Sequence, residues 1–323
     1  MATNQSGAMK TLLVVTAAFG AQNHSDSAPV DTAAKIYDAP RFGTEQPVPI
    51  LSVERLPAKK HRPCMSFIGA SACGIEWDEW MMVDALVRPE DAVIEFGARF
   101  GTTSCRLASA TRNSGRVVSV DPDRNILRYL LPNRQKHRCS FTILSGTVSD
   151  VPLGMQVHTN YGSRASPVST KGGRVAGNIA FRAMEERIGA KFNVALIDCE
   201  GCIAHVADAP GDLLGQVGLV LIEEDHSCPN CTRDSREDSL GRVGYAYWHR
   251  QLWQRGFENI WHSRDTFNRK LEWSSNLVHT AWRRPSVAAV VDECQAHAAR
   301  TGRDKTEIDC LPLLRRGEAR RSR

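Results

Sequence analysis

The sequence predicts a doubly wound α/β fold, in which a mostly parallel sheet carries helices on both faces. Continuous apolar runs such as VVSV and LVLI are typical of strands that are buried on both faces. Helix-capable segments follow most of these runs, as crossovers between parallel strands require. Near the end of the chain, two strand-like segments follow each other with no room for a helix, so they pair antiparallel or lie apart.

The first predicted element is an amphipathic helix over 75–86, whose apolar residues recur at spacings of three and four and which ends before Pro89. We interpret its Trp and Met residues as core rather than as a cofactor site. The predicted strands cover 92–96, 116–120, 141–144, 193–197, 218–222, 258–263 and 277–283. The other predicted helices cover 103–111, 124–137, 179–188 and 245–255.

Composition and charge exclude several classes of protein. With 323 residues, 42% hydrophobic and 24% charged, the chain is not collagen-like, a coiled coil or wholly disordered. The net charge is +5, of which residues 314–323 contribute +4, so the rest of the chain is nearly neutral and no nucleic-acid partner is expected. No apolar run reaches the roughly 18 residues that a membrane-spanning helix needs.

The ends of the chain differ from its middle. Residues 1–63 are interpreted as a largely disordered leader or linker, in which 9–21 resemble either a secretory signal peptide or part of a cytosolic leader. The compartment stays open between these two, with the cytoplasm slightly favoured. The folded domain is predicted over 64–285, and residues 286–323 are predicted to form a helix and a basic, disordered tail.

The segment VIEFGARFGTTS predicts a ligand-binding bend between the first strand and its helix. The strand ends near Glu95, Gly97 allows close approach of a ligand to the backbone, and Gly101 allows tight packing where the helix begins. Thr102 or Thr103 is expected to cap that helix.

Further polar positions lie at the ends of the next two strands. Asp121 ends the second strand, where a carboxylate can accept two hydrogen bonds from a ribose diol, although an Asp-Pro-Asp sequence also caps helices. Thr147 lies in the polar turn 145–150, which we interpret as meeting an adenine ring. Arg99 occupies the second glycine position of the dinucleotide fingerprint, which counts against NAD.

Acidic residues follow the fourth and fifth strands, at the edge where open α/β sheets bind their ligands. Any one of them has an alternative role in capping or solvation, but their clustering favours a binding or catalytic edge. Charged residues that directly follow apolar strands are costly to bury unless they have a function. We assign no metal to these residues, which are Asp198, Glu200, Glu223, Glu224, Asp225 and His226.

The motifs VIEFGARFG, VVSVDPD, FTILSGTVSD, ALIDCEGC and LVLIEEDH, in this order, resemble the FkbM-type S-adenosylmethionine-dependent methyltransferases. The most specific element is I-D-x-E-G, here Ile197-Asp198-Cys199-Glu200-Gly201, and the resemblance covers about residues 75–285. It implies a class I, Rossmann-like seven-stranded sheet whose last two strands form a reversed hairpin. It also implies methyl transfer to a hydroxyl oxygen, often of a sugar or another small metabolite.

The resemblance also implies roles for single residues. Those around the methionine part of S-adenosylmethionine are Glu95, Gly97, Ala98 and Gly101, and Thr102 is also assigned to the cofactor site. Asp121 would bind the ribose, and Asp198 and Glu200 would face the transferred methyl group and its acceptor, with Asp198, Glu200 or His226 as the base. The chain departs from the family in having Glu95 for Asp and Arg99 for Asn, and it lacks the Lys that commonly precedes I-D.

Two other functions stay open at this point. A binding protein that kept the sheet and lost turnover is one alternative, and an NAD-dependent oxidoreductase is a weaker one.

Two C-x-x-C pairs, Cys199 with Cys202 and Cys228 with Cys231, follow the fourth and fifth strands. Their spacing is compatible with zinc ligands, with loop disulfides or with inert packing.

Overall fold

The computed structural model describes residues 34–41, 67–69, 76–148, 153–157, 163–167, 174–175, 177–207, 213–225, 227–239, 241–264 and 278–285. The predicted signal segment 9–21, His226 and the predicted tail 286–323 lie outside these residues.

Eleven strands and seven helices occur within the described residues. The strands are β1 (Lys35–Tyr37), β2 (Val93–Phe96), β3 (Val117–Asp121), β4 (Thr142–Ser145), β5 (Leu153–Val157), β6 (Ser163–Pro167), β7 (Arg174–Val175), β8 (Val194–Ile197), β9 (Leu219–Glu223), β10 (Glu258–Arg264) and β11 (Val278–Arg283). The helices are α1 (Trp77–Leu86), α2 (Thr102–Ala110), α3 (Leu127–Lys136), α4 (Phe181–Ile188), α5 (Ile203–Val206), α6 (Leu213–Gln216) and α7 (Tyr245–Gln254).

The main sheet has the strand order β1-β4-β3-β2-β8-β9-β11-β10. Strands β4, β3, β2, β8 and β9 are parallel, and β11 pairs antiparallel with both β9 and β10. This order confirms the predicted mostly parallel α/β sheet and its antiparallel pair. It also places the carboxyl ends of β3, β2, β8 and β9 side by side at one edge.

The sheet has eight strands rather than the predicted seven. The extra strand, β1, pairs antiparallel with β4 and lies within residues 1–63, which the sequence indicated to be a leader or linker. Ile36 packs against the hydrophobic cluster on one face and Tyr37 against the cluster on the other. Three residues are too few for a periodic pattern, so the sequence alone did not reveal this strand.

The central strands are buried on both faces, as their apolar runs predicted. In β2, Ile94 and Phe96 join one hydrophobic cluster, and Val93 joins the other. Helices α1 and α2 contribute Trp80 and Leu107 to the second cluster. Glu95 alternates with Ile94 and Phe96, so its carboxyl group lies on the face that α1 and α2 cover.

A second, three-stranded sheet has the order β6-β5-β7 and was not predicted. The short helices α5 and α6 were also not predicted, because four residues do not complete a helical period. Among the described residues, the model contains no helix of the length and apolar character that crossing a membrane requires.

Three disulfides join described cysteines. Cys105 of α2 bonds to Cys139, which precedes β4, and the two C-x-x-C motifs each close on themselves, Cys199 with Cys202 and Cys228 with Cys231. Of the three alternatives for these motifs, the structure therefore has loop disulfides. The interpretation as zinc ligands is wrong, because each sulfur atom is bonded to its partner sulfur.

Candidate functional site

The bend after β2 lies directly against the end of β8. Gly97 has φ of +103°, and a Cβ atom there would lie 1.5 Å from the carbonyl oxygen of Asp198. The amide of Gly97 donates to the carbonyl of Val120 at 2.9 Å, so the bend is also tied to β3. The sequence predicted that Gly97 allows a ligand to approach the backbone closely. On the side where a Cβ atom would lie, however, the backbone of Asp198 is what requires a glycine at this position.

Gly101 begins α2 in a left-handed conformation, with φ of +83°. A Cβ atom at this position would lie 2.7 Å from Cδ1 of Leu130 in α3, so the tight packing predicted here involves a helix rather than the strand. The prediction that Thr102 or Thr103 caps α2 is wrong, because Gly101 is the N-cap and no side chain caps it. The hydroxyl of Thr103 instead donates to Glu79 Oε2 at 2.7 Å.

Asp121 connects the end of β3 to the bend. Its Oδ2 accepts a hydrogen bond from the amide of Arg99 at 2.9 Å, and its Oδ1 accepts one from the amide of Asp123 at 2.8 Å. Asp123 in turn accepts from the amide of Asn125 at 2.9 Å, so the capping role predicted for this sequence falls on Asp123. Burial raises the pKa of Asp121 to about 6, against the lowering effect of the two amides.

Glu95 is 1% exposed and lies beneath α2. The hydroxyl of Ser104 in α2 donates to its Oε2 at 2.5 Å. Burial raises the pKa of Glu95 to about 7, although the hydrogen bond from Ser104 acts in the opposite direction. The carboxyl group that the resemblance places near the methionine part of a cofactor is therefore held by side chains of the protein.

The raised pKa of Glu95 predicts a pH-dependent stability. Because the folded state holds this proton more tightly than the unfolded chain does, the free energy of unfolding falls as the pH rises from 4.5 through about 7. The free energy of unfolding of Glu95→Gln minus that of the wild type is therefore expected to be about 2 kcal/mol larger at pH 8 than at pH 5. Urea unfolding at the two pH values measures this difference, and an equal difference at both values would contradict the assignment.

Acidic side chains collect at the ends of β8 and β9, as the sequence predicted. The pKa of Asp198 is raised well above its usual range by burial and by the carboxylates of Glu223 and Glu79. The pKa of Asp225 is raised by burial and by Glu200 and Glu223. The structure therefore brings Asp198, Glu200, Glu223 and Asp225 into one electrostatic group.

Glu200 stands in the left-handed region with φ of +56°, an uncommon conformation for a residue other than glycine. It lies in the loop that the Cys199–Cys202 disulfide closes. The disulfide therefore restricts the loop that carries Glu200, one of the predicted catalytic residues.

Glu224, the residue after β9, contacts other side chains than this group does. Its Oε1 lies 2.6 Å from Nε2 of His249 in α7 and accepts a hydrogen bond from the hydroxyl of Thr280 at 3.0 Å. Tyr245, at the start of α7, donates to Asp225 Oδ1 at 3.3 Å. Helix α7 thus supplies partners for two acids of the β9 end.

Sequence reasoning missed Glu79 of α1 and His279 of β11, both of which lie within the acidic group. Their ligand atoms come within 4.8 Å of Glu223 and of each other. The available signals were acidic residues inside the apolar stripe of a predicted core helix, and a histidine inside the apolar run VHTAW.

Thr147 pairs with the segment that precedes α4. Its amide donates to the carbonyl of Gly177 at 2.8 Å, and its own carbonyl accepts from the amide of Ile179 at 3.0 Å. Ala98, in the bend, is buried and its amide donates to Val120 at 3.2 Å.

Three of the solved structures that are similar to this chain are named as an O-methyltransferase, an rRNA methylase and an N-methyltransferase. An O-methyltransferase from Bacillus cereus in complex with SAH is 11% identical, with 71% of this chain and 85% of that chain covered and a TM-score of 0.37. An rRNA methylase from Streptococcus thermophilus is 8% identical, with 65% and 95% covered and a TM-score of 0.40. The N-methyltransferase NodS from Bradyrhizobium japonicum is 9% identical, with 66% and 97% covered and a TM-score of 0.36.

No family model and no curated protein matches the chain.

Proposed function

We propose that this protein is an S-adenosylmethionine-dependent methyltransferase that acts on a hydroxyl oxygen of a sugar or another small metabolite. The observation that carries the proposal is the carboxylate of Asp121, which lies at the end of β3 and accepts a hydrogen bond from the amide of Arg99 in the bend after β2. An acid held against such a bend, at the carboxyl edge of a parallel sheet, is suited to a ribose diol.

The hydrogen bonds of Asp121 leave capacity for a ligand. An ionised carboxylate offers about four acceptor positions, and the amides of Arg99 and Asp123 occupy one on each oxygen. The same amides fix the orientation of the carboxylate, so little ordering entropy is lost when a diol binds. The free acceptor positions of Asp121 therefore fit the hydroxyl donors of a nucleoside sugar.

S-adenosylmethionine supplies an electrophilic methyl group on a sulfonium. In the proposal, Glu95, Gly97, Ala98, Gly101 and Thr102 surround its methionine part, and Thr147 lies near the adenine.

Asp198 is the preferred base. Its carbonyl contacts the bend at Gly97, so its residue lies at the junction of the proposed cofactor and acceptor positions. A carboxylate there can orient the acceptor hydroxyl and accept its proton during transfer. Glu200, in the same loop, supports the orientation of the acceptor.

Calorimetric titration with S-adenosylhomocysteine tests the cofactor assignment. We expect the wild type to bind this nucleoside and not NAD. We also expect Asp121→Asn to weaken binding about tenfold to a hundredfold, because it removes charge-assisted hydrogen bonds to the ribose. Asp123→Asn is the matched control, since asparagine keeps the capping of the Asn125 amide.

Three outcomes would contradict the assignment. They are the absence of nucleoside binding by folded wild type, binding of NAD instead, and equal losses in Asp121→Asn and Asp123→Asn. If the nucleoside binds, transfer of a labelled methyl group to a panel of hydroxylated sugars and metabolites tests turnover. Binding without transfer to any of them would favour a catalytically silent binding protein.

A further inference from the structure

Three metal-compatible side chains from distant parts of the sequence meet beneath α1. The ligand atoms of Glu79, Glu223 and His279 all lie within 4.8 Å of one another. The antiparallel register of β9 and β11 places His279 opposite Glu223, and α1 contacts both strands and brings Glu79 to them. This trio, which we term the α1 cluster, is thus fixed by three elements of regular structure.

One atom of the α1 cluster points independently to a missing ligand. Glu79 is 1% exposed, and its Oε2 accepts a hydrogen bond from the hydroxyl of Thr103 at 2.7 Å. Its other oxygen, Oε1, is buried and accepts no hydrogen bond from an N–H or hydroxyl group of the described residues; a further polar partner of this carboxyl group, besides Thr103, is the carboxyl group of Glu76. A buried oxygen without a donor destabilises the folded state, and more so when the group is charged, so a bound cation would remove this cost.

The charge around the α1 cluster favours the same conclusion. The ligand atoms of Glu79, Glu76 and Asp198 also lie within 4.8 Å of one another, and so do those of Glu223, Asp198 and Asp225. Carboxylates packed at this density repel one another in a buried environment. A divalent cation offsets two of these charges at the point where the groups converge.

We propose that Glu79, Glu223 and His279 bind a divalent cation of the Mn²⁺ type. Two carboxylates and one imidazole suit an ion that accepts both oxygen and nitrogen ligands, whereas Mg²⁺ and Ca²⁺ sites consist mainly of oxygen. The Thr103 hydroxyl holds the second oxygen of Glu79, as outer-shell partners of metal ligands commonly do. Glu223 ends β9 and is only partly buried, so the cluster lies next to the edge of the sheet.

The α1 cluster does not include Asp121 or the bend after β2. Glu79 and Glu223 do lie within 4.8 Å of Asp198, the proposed base, so the metal site adjoins the proposed acceptor position. A direct measurement of metal binding nevertheless tests the metal proposal whether or not a nucleoside binds.

Titration of the metal-free, full-length chain with Mn²⁺, followed by electron paramagnetic resonance, measures the site. We expect a single tight site in the wild type, and a loss of affinity of about tenfold to a hundredfold in Glu79→Gln and in Glu223→Gln. Glu185→Gln is the matched control, because Glu185 is also buried but accepts its hydrogen bonds from Phe192 and Gln216. It is expected to bind Mn²⁺ like the wild type.

Electron spin-echo modulation detects nitrogen ligands in the Mn²⁺ complex of the wild type itself, so this test does not depend on the folding of a variant. We expect nitrogen coupling from the imidazole of His279, and the loss of that coupling in His279→Gln. The proposal is overturned by the absence of a tight Mn²⁺ site in folded wild type or by a site without nitrogen coupling. It is also overturned if Glu79→Gln and Glu223→Gln retain wild-type affinity, or if Glu185→Gln loses affinity as they do.

Discussion

Gly97→Ala is expected to lower the free energy of unfolding by more than about 3 kcal/mol, with loss of the folded state as the extreme outcome. The added Cβ would lie 1.5 Å from the carbonyl oxygen of Asp198, which belongs to the backbone and cannot rotate away. The left-handed conformation, with φ of +103°, adds strain for any residue with a side chain. The ends of β2 and β8 would have to separate.

Gly189→Ala is the matched control for Gly97→Ala. Gly189 also has positive φ, at +65°, but a Cβ atom there would lie more than 4 Å from every other described part of the chain outside its own helix. Its substitution therefore isolates the conformational strain, which costs about 1–2 kcal/mol. Chemical denaturation of both variants measures the difference, and equal losses of stability would contradict the close contact between Gly97 and Asp198.

Asp198→Asn is expected to reduce kcat for methyl transfer by about 100-fold to 10,000-fold, the range typical of a lost general base. The amide keeps the size of the side chain but cannot accept the proton of the acceptor hydroxyl. Affinity for S-adenosylhomocysteine should stay close to that of the wild type, because the proposed nucleoside contacts lie on Asp121 and the bend.

Glu200→Gln separates the two carboxylates of the β8 loop. A larger loss of kcat in Glu200→Gln than in Asp198→Asn would reverse their assigned roles. Comparable turnover in Asp198→Asn and the wild type would exclude Asp198 as the base. Both variants require an acceptor that the methyl-transfer assay has first identified.

The sheet was predictable because buried parallel strands have a strong sequence signature. The strand VVSV and its neighbours stand within one or two residues of their predicted bounds, since apolar runs end where the chain leaves the core. The antiparallel pair β10 and β11 was predictable from the absence of a crossover helix. Strand β1 was not, since its three residues are ordered by pairing with β4, which no local pattern reveals.

The site was predictable only in part. Acids at the ends of β8 and β9 followed from strand order, because adjacent parallel strands end at one edge. Glu79 and His279 did not, because their place depends on how α1 packs across β9 and β11. Their proximity arises from tertiary packing, and its local signs were an acidic residue inside an apolar helix stripe and a histidine inside an apolar strand.

A crystal structure of the protein with S-adenosylhomocysteine would show directly whether the bend after β2 and Asp121 hold a nucleoside. We expect the ribose hydroxyls to donate to the Asp121 carboxylate at about 2.7 Å, with the sulfur atom on the side of Asp198. A nucleoside bound away from the end of β3, with no contact to Asp121, would contradict the assignment of this edge as the cofactor site.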